Sequence, residues 1–330
     1  MNTPSSRPAT SYQRRIVALA IAIAAAVTAY TAGWFYVASK GDALVHGFLA
    51  SSKGGSRQYG CDNPVIRGFP FRIGLFCDTA SIDDQASGAR LSVARLRTAA
   101  QVYALDHRVI EVDGPMLIDM PGMVPLAVDV EAARASMVGK HALADRISVE
   151  LRKVVLSERQ PADLRRPLGE VERIGLHMRQ AGGDRIDLAA DIEALHAANA
   201  PAASLTLRGT IDGASGFDVA LRAGIHDLSV LRGHDGILDT LEIAFAGGGR
   251  VQLDGPFSIS DDGNVNATVN LRITDTVHLA DAVTRFAQAL GQTAPDLSLM
   301  TLADDQVLKI TITDGFASIG VIPLGQIPPL

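Results

Sequence analysis

Val265-Asn266-Ala267-Thr268-Val269-Asn270-Leu271-Arg272-Ile273-Thr274 alternates apolar and polar side chains without a break. A period of two sets Val265, Ala267, Val269, Leu271 and Ile273 on one face of an extended chain, the pattern of a half-buried antiparallel strand. Directly after it the period changes. Leu279, Val283, Phe286 and Leu290 recur at helical spacing, Asp275 or Thr276 can cap the start and Gly291 can end it, which predicts one helix packed on the sheet. On the other side, Leu205-Leu207-Gly209-Ile211, Phe217-Val219-Leu221-Ala223-Ile225 and Leu241-Ile243-Phe245 are taken on their apolar positions, and each alternates with mainly small or polar residues. Asp212-Gly213, Gly247-Gly248-Gly249 and Asp261-Asp262-Gly263 separate these stretches with residues that suit tight turns.

Further upstream, strands are expected near residues 101–105, 109–112, 126–130 and 147–156. Ile186-Leu188-Ala190-Ile192 fits a strand and Leu188-Ile192-Leu195 a helix; strand is favoured. Residues 196–203, small and carrying Pro201, look like a connection between an N-terminal half (57–195) and a C-terminal half (204–330) of the β domain. At the end of the chain, Leu308-Ile310-Ile312 and Ala317-Ile319-Val321 form a last hairpin around Asp314-Gly315, with Pro323, Pro328 and Pro329 expected to stop further pairing. The fold class is mainly β: an extended or twisted antiparallel sheet, as a groove or a sandwich, with one packed helix.

A single N-terminal transmembrane helix is expected before this β chain. Residues 16–37 carry no charge and, at about 1.5 Å per residue, can cross a hydrocarbon core of roughly 30 Å. Arg14 and Arg15 head the run and no acid precedes it, so residues 1–15 are expected as a cytoplasmic tail and the remainder on the exported side. Trp34, Phe35 and Tyr36 stand at the far end, where an aromatic belt meets the headgroups. The rival reading is a cleaved signal peptide, for which Ala24-Ala25-Ala26 and Ala29 supply small residues. Residues 38–56 are expected as a juxtamembrane helix and linker, with Val37, Leu44 and Phe48 on one stripe and Ser51 to Ser56 as the break. Beyond residue 40 the chain holds 26 basic against 36 acidic residues. An acidic domain repels phosphate backbones, which argues against nucleic acid as a partner.

Cys61 and Cys77 are the only cysteines. An oxidising compartment lets them pair, and a disulfide is expected; a metal site is the rival, but no histidine lies between His46 and His107. Between them stands Arg67-Gly68-Phe69-Pro70-Phe71-Arg72-Ile73-Gly74-Leu75-Phe76, whose second half alternates as a strand after Pro70. Two readings of this segment stand side by side. Phe69 and Phe71 are core anchors with Arg72 on the surface, or the segment is an exposed aromatic and basic edge that meets a membrane or a partner.

No catalytic constellation emerges. The eight histidines are scattered, none at the spacing of a metal-binding helix, and no nucleophile elbow is present. His226-Asp227 and His234-Asp235 come nearest to a site, within a stretch from His226 to Asp239 read as a loop between strands. Asp261-Asp262-Gly263-Asn264 lacks the remainder of a calcium loop, and Asn266-Ala267-Thr268 is a formal sequon inside a strand. Neither metal nor cofactor is expected, nor an enzyme.

Gly68-Phe69-Pro70-Phe71-Arg72 between the two cysteines, Ala100-Gln101-Val102-Tyr103 followed by Asp113-Gly114-Pro115, and the ending from Asp314-Gly315-Phe316 to Ile327-Pro328-Pro329-Leu330 resemble a bacterial domain-of-unknown-function family, the one numbered twenty-one twenty-five. Gly249-Arg250-Val251-Gln252-Leu253-Asp254-Gly255 is similar, more distantly, to strands of AsmA-like envelope proteins. The first resemblance implies a domain of uncharacterised activity covering nearly everything after the membrane segment. With the apolar run and its flanking arginines, the expectation is an inner-membrane protein of one pass with a periplasmic β domain, or a periplasmic protein released by signal cleavage. The expected role is binding or handling lipid; the alternative is a non-enzymatic module that assembles with an envelope protein.

Overall fold

The computed structural model describes residues 11–139, 144–161, 164–182, 184–197, 200–213, 228–289, 292–294 and 304–330. Helix α1 (Ser11–Ser52) runs unbroken through the apolar segment and 15 residues past Val37. No proline interrupts it before Lys53-Gly54-Gly55, and its richness in alanine outweighs the isolated Gly33, Gly41 and Gly47. The juxtamembrane residues thus extend the same rod.

The strands are β1 (Arg57–Asp62), β2 (Val65–Arg67), β3 (Arg72–Cys77), β4 (Thr79–Asp84), β5 (Ala89–Gln101), β6 (Ala104–Asp119), β7 (Leu126–Asp129), β8 (Ala132–Val138) and β9 (Arg146–Arg159), then β10 (Arg165–Gln180), β11 (Arg185–His196), β12 (Ala203–Asp212), β13 (Asp235–Phe245), β14 (Arg250–Ile259), β15 (Val265–Thr274), β16 (Val307–Thr313), β17 (Phe316–Ile319) and β18 (Ile322–Gln326). Helix α2 (Thr276–Ala289) follows β15. All the strands join in one antiparallel sheet. From β9 to β18 each strand pairs with the next. At the N-terminal end two long strands act as nodes: β5 carries β4 on one half and β3 on the other, and β6 carries β7 and β8, which both continue onto β9.

Several expectations change. Residues 101–105 are not one strand but the junction of two: Gln101 ends β5, Ala104 opposite it begins β6, and Val102-Tyr103 form the hairpin tip between them. The tip has no Gly, Asn or Asp to mark it in sequence; it is held from outside, Val102 N–H donating to Phe71 O at 3.1 Å. Asp235 to Asp239, expected as loop, opens β13. Val321 lies in a turn, and Pro323 is accommodated inside β18 by a register shift against β17. The ambiguous segment at 186–195 belongs to β11, a strand. The expected strand 217–225, the His226-Asp227 pair, Leu290 and Gly291 lie outside the described residues. Residues 196–203 join two strands, β11 and β12, that are neighbours in the sheet.

The best-packed core lies under α2. Leu279, 2 % exposed, sits on Val269, Leu271, Ile273 and Ile310, and Phe286 meets Phe245 at 6.1 Å.

Candidate functional site

The register gathers the strand alternations into rows that cross the sheet. One row runs Leu96, Val112, Ala133, Leu151, Ile174, Ile192, Leu205, Ile243, Val251, Ile273, each residue directly opposite the next on the neighbouring strand. A second runs Ile110, Ala135, Val149, Leu176, Ala190, Leu207, Leu241, Leu253, Leu271, Leu308. Every member is apolar. The row between them points to the other face and reads Arg97, Glu111, Arg134, Glu150, Gly175, Asp191, Thr206, Glu242, Gln252, Arg272. On that face Arg97 and Asp113 pair at 2.5 Å and Arg208 and Asp191 at 2.9 Å, while Arg134 meets Glu111 and Arg173 meets Glu193. The sheet is therefore oily on one side and laced with ion pairs on the other.

At strand spacings of about 4.8 Å the apolar rows extend on the order of 40 Å. Their burial is uneven. Leu271 and Ile273 are buried beneath α2, but from Val112 to Val251 every member is only partly buried, and Leu176 is 46 % exposed. The two described α-helices stand over the two ends. At the β15 end α2 closes the rows; at the other, Leu44, Val45, Phe48 and Leu49 of α1 face Leu75, Val93, Leu96 and Val112 across an almost wholly apolar cavity of about 510 Å³. Such a face can bind hydrocarbon, each buried methylene contributing about 0.8 kcal/mol.

The Gly68 to Arg72 motif forms the turn between β2 and β3 and seats on α1. Gly68 has φ +124°, and a Cβ there would lie 2.7 Å from Arg72 O, so only glycine closes the turn, which Arg72 N–H completes onto Gly68 O at 2.9 Å. The Trp34 indole N–H donates to Arg72 O at 3.0 Å and the Tyr30 hydroxyl donates to Pro70 O. Phe69 packs edge-on to Trp34 at 5.5 Å and stacks on Phe35 at 5.7 Å. Trp34 is thereby buried, at 8 % exposure. Phe69 thus packs one side on the helix, outside the buried clusters of the sheet, and stays exposed on the other; Phe71 is more exposed still, as are Tyr103 and Leu105 at the neighbouring hairpin tip. Gly74 faces Thr98 O at a separation that leaves no room for a Cβ, which holds β3 tight against β5.

Cys61 and Cys77 form a disulfide with Cα atoms 5.3 Å apart. It ties β1 to β3, strands that do not pair with each other but reach β5 by separate routes. Of the orientation residues, Arg14 and Arg15 are exposed in the first turns of α1, and Tyr36 is exposed with the Lys40 ammonium 5.6 Å from its ring. His234 Nδ1 lies 2.8 Å from Asp212 O, a turn contact. Among the described residues no group of His, Cys, Asp or Glu is placed to hold a metal ion. Asn266 of the formal sequon accepts the Asp314 N–H at 2.9 Å and so serves the β16–β17 turn. The rows themselves escaped sequence reading because register, not alternation, aligns one strand with the next.

These elements define a β protein that carries a helix long and apolar enough to span a membrane and one sheet whose apolar face, among the described residues, is only partly buried between its two helices. The chain belongs to the bacterial family described as "Uncharacterized protein conserved in bacteria (DUF2125)", which matches residues 34–328. No curated protein and no solved structure matches it. The likeness to AsmA-like envelope proteins is not shown by these comparisons.

Proposed function

We propose that the protein is held in the inner membrane by α1 and binds or shields lipid acyl chains on the apolar face of a periplasmic sheet, without catalysing a reaction. The observation that carries this reading is the pair of apolar rows left half-exposed between α1 and α2. A sheet face of that size gains by being covered, and hydrocarbon covers it without leaving polar groups unpaired. Support for the compartment comes from the disulfide, and for the orientation from Arg14 and Arg15 ahead of the apolar run. A retained anchor is favoured over a cleaved signal because Tyr30 and Trp34 are bonded into the Gly68 to Arg72 turn.

A photoreactive diazirine amino acid introduced at Val149, on the apolar face, or at Glu150, on the charged face, tests the reading in the full chain in cells. Lipid adducts at Val149 and none at Glu150 are expected. Protein adducts alone at Val149 would replace the lipid reading with an assembly module docking on the same face.

A further inference from the structure

On the charged face, at the same end of the sheet as the motif turn, a cavity of about 520 Å³ is lined by Arg67, Arg72, Arg97 and Arg134. Glu111 is the one carboxylate in its wall. Arg134 and Arg97 share that Glu111, at 3.8 Å for the Arg97 Nε, which is itself buried and without a hydrogen-bond partner. Arg97 also pairs with Asp113 at 2.5 Å, Arg67 lies over the Phe76 ring at 5.6 Å, and Arg72 is near enough to act on Glu111 electrostatically without forming a close ion pair, so four guanidinium groups face two carboxylates. This surplus of guanidinium charge stands out in a domain whose remainder is acidic.

The cavity also has a defined height relative to the helix. Arg72 is the residue whose carbonyl takes the Trp34 N–H, and the preceding Pro70 carbonyl takes the Tyr30 hydroxyl. Trp34 and Tyr30 lie three and seven residues before Val37, the end of the uncharged run, so about 5 and 10 Å inside it along the helix axis. Trp34, near the end of the run, marks the boundary between headgroups and acyl chains, and exposed Phe71, Tyr103 and Leu105 suit that level. A lipid still resident in the outer leaflet could therefore leave its tails among these side chains and its phosphate beside the arginines.

We propose that the cavity lined by Arg67, Arg72, Arg97 and Arg134 is a phosphate site for the headgroup of an anionic phospholipid in the adjoining leaflet. Guanidinium forks match phosphate oxygens in pairs, and an acidic domain kept against an anionic surface needs a local reversal of charge at the point of contact. The proposal rests on the membrane placement given above but not on acyl-chain binding by the opposite face. Lipid adducts at Val149 that persist in the variant below would leave that other reading intact if this one fails.

Native mass spectrometry of the full chain in a neutral detergent, titrated with dioleoyl phosphatidylglycerol or dioleoyl phosphatidylcholine, tests it. The wild type should prefer phosphatidylglycerol by roughly thirtyfold, the worth of two guanidinium contacts. Arg67→Gln with Arg72→Gln should erase the preference, whereas Arg250→Gln with Arg272→Gln, an equal charge change at the far end of the charged face, should keep it. Equal binding of the two lipids by the wild type, or equal loss in both double variants, overturns the site. Millimolar inorganic phosphate at constant ionic strength should leave phosphatidylglycerol bound; displacement would reassign the site to the free anion and overturn the lipid assignment.

Discussion

Alanine at Leu176 and alanine at Ile273 remove side chains of equal carbon count from the same apolar face, yet their costs should differ severalfold. Ile273 is 1 % exposed and lies beneath Leu279, itself 2 % exposed. Truncation there loses the transfer energy of three carbons and leaves a cavity that its neighbours cannot fill, about 4 kcal/mol by comparison with other buried sites. Leu176 is 46 % exposed in the middle of the rows. It has roughly half of a leucine's burial energy to lose and no packed shell in which to leave a void, so about 1 kcal/mol is expected. For a domain of this size each kcal/mol moves the melting temperature by about 2 to 4 °C. Ile273→Ala should therefore lower it by about 8 to 16 °C and Leu176→Ala by about 2 to 4 °C. Thermal melts of the full chain in neutral detergent, followed by far-ultraviolet circular dichroism, measure both. Equal losses would mean that the middle of the face is closed by packing, and the reasoning from half-exposed rows to a hydrocarbon surface would be wrong.

The disulfide and the acid end of the stability profile give two more expectations. Replacing Cys61 and Cys77 by serine should cost about 3 kcal/mol, from the unfolded-chain freedom that the bridge removes, seen as a lower urea midpoint; an unchanged midpoint would refute this. Asp84 accepts from Arg57 at 2.7 Å and from the Ala86 and Ser87 amides, and the guanidinium hydrogen bond holds its carboxyl below the usual carboxylate range. A folded pKa below the unfolded one gives stability that is present above about 3.9 and is lost as pH falls through the lower folded value. Asp84→Asn should thus lower the melting temperature at pH 7 and flatten its fall between pH 4 and 2, and a profile parallel to wild type would count against the pairing.

The strands in the C-terminal part of the chain were legible because each has one buried and one solvated side, as Val265 to Thr274 shows. The helix at 276–289 was legible for the same reason in another period. At Val102-Tyr103 local chemistry failed, since the hairpin tip is positioned by a hydrogen bond to Phe71, about thirty residues earlier. Pro323 misled in the opposite sense: a ladder next to a register shift tolerates what a regular ladder excludes. The site was the least legible part. Both the apolar rows and the arginine cavity are made by register between strands, and the motif turn's seat on α1 joins residues some forty positions apart.

The span after the apolar run has the largest consequence for how the protein works. In sequence, Trp34 to Ser56 reads as a tether whose length sets the distance of the domain from lipid. In the fold, Leu44, Val45, Phe48 and Leu49 form one wall of the apolar cavity, Phe48 meets Tyr59 at 5.1 Å, and Ser52 Oγ accepts the Tyr59 N–H at 3.2 Å. A tether could be exchanged for any flexible sequence, but this segment covers the first residues of the rows as α2 covers the last. A cut made by a signal peptidase would have to fall before Leu44 to leave that cover in place and before Trp34 to keep the indole bond to the Arg72 carbonyl as well; the family match begins at Trp34. Helix α1 and the β domain are thus packed as one unit: the same rod that is long and apolar enough to span a membrane closes one end of the apolar face.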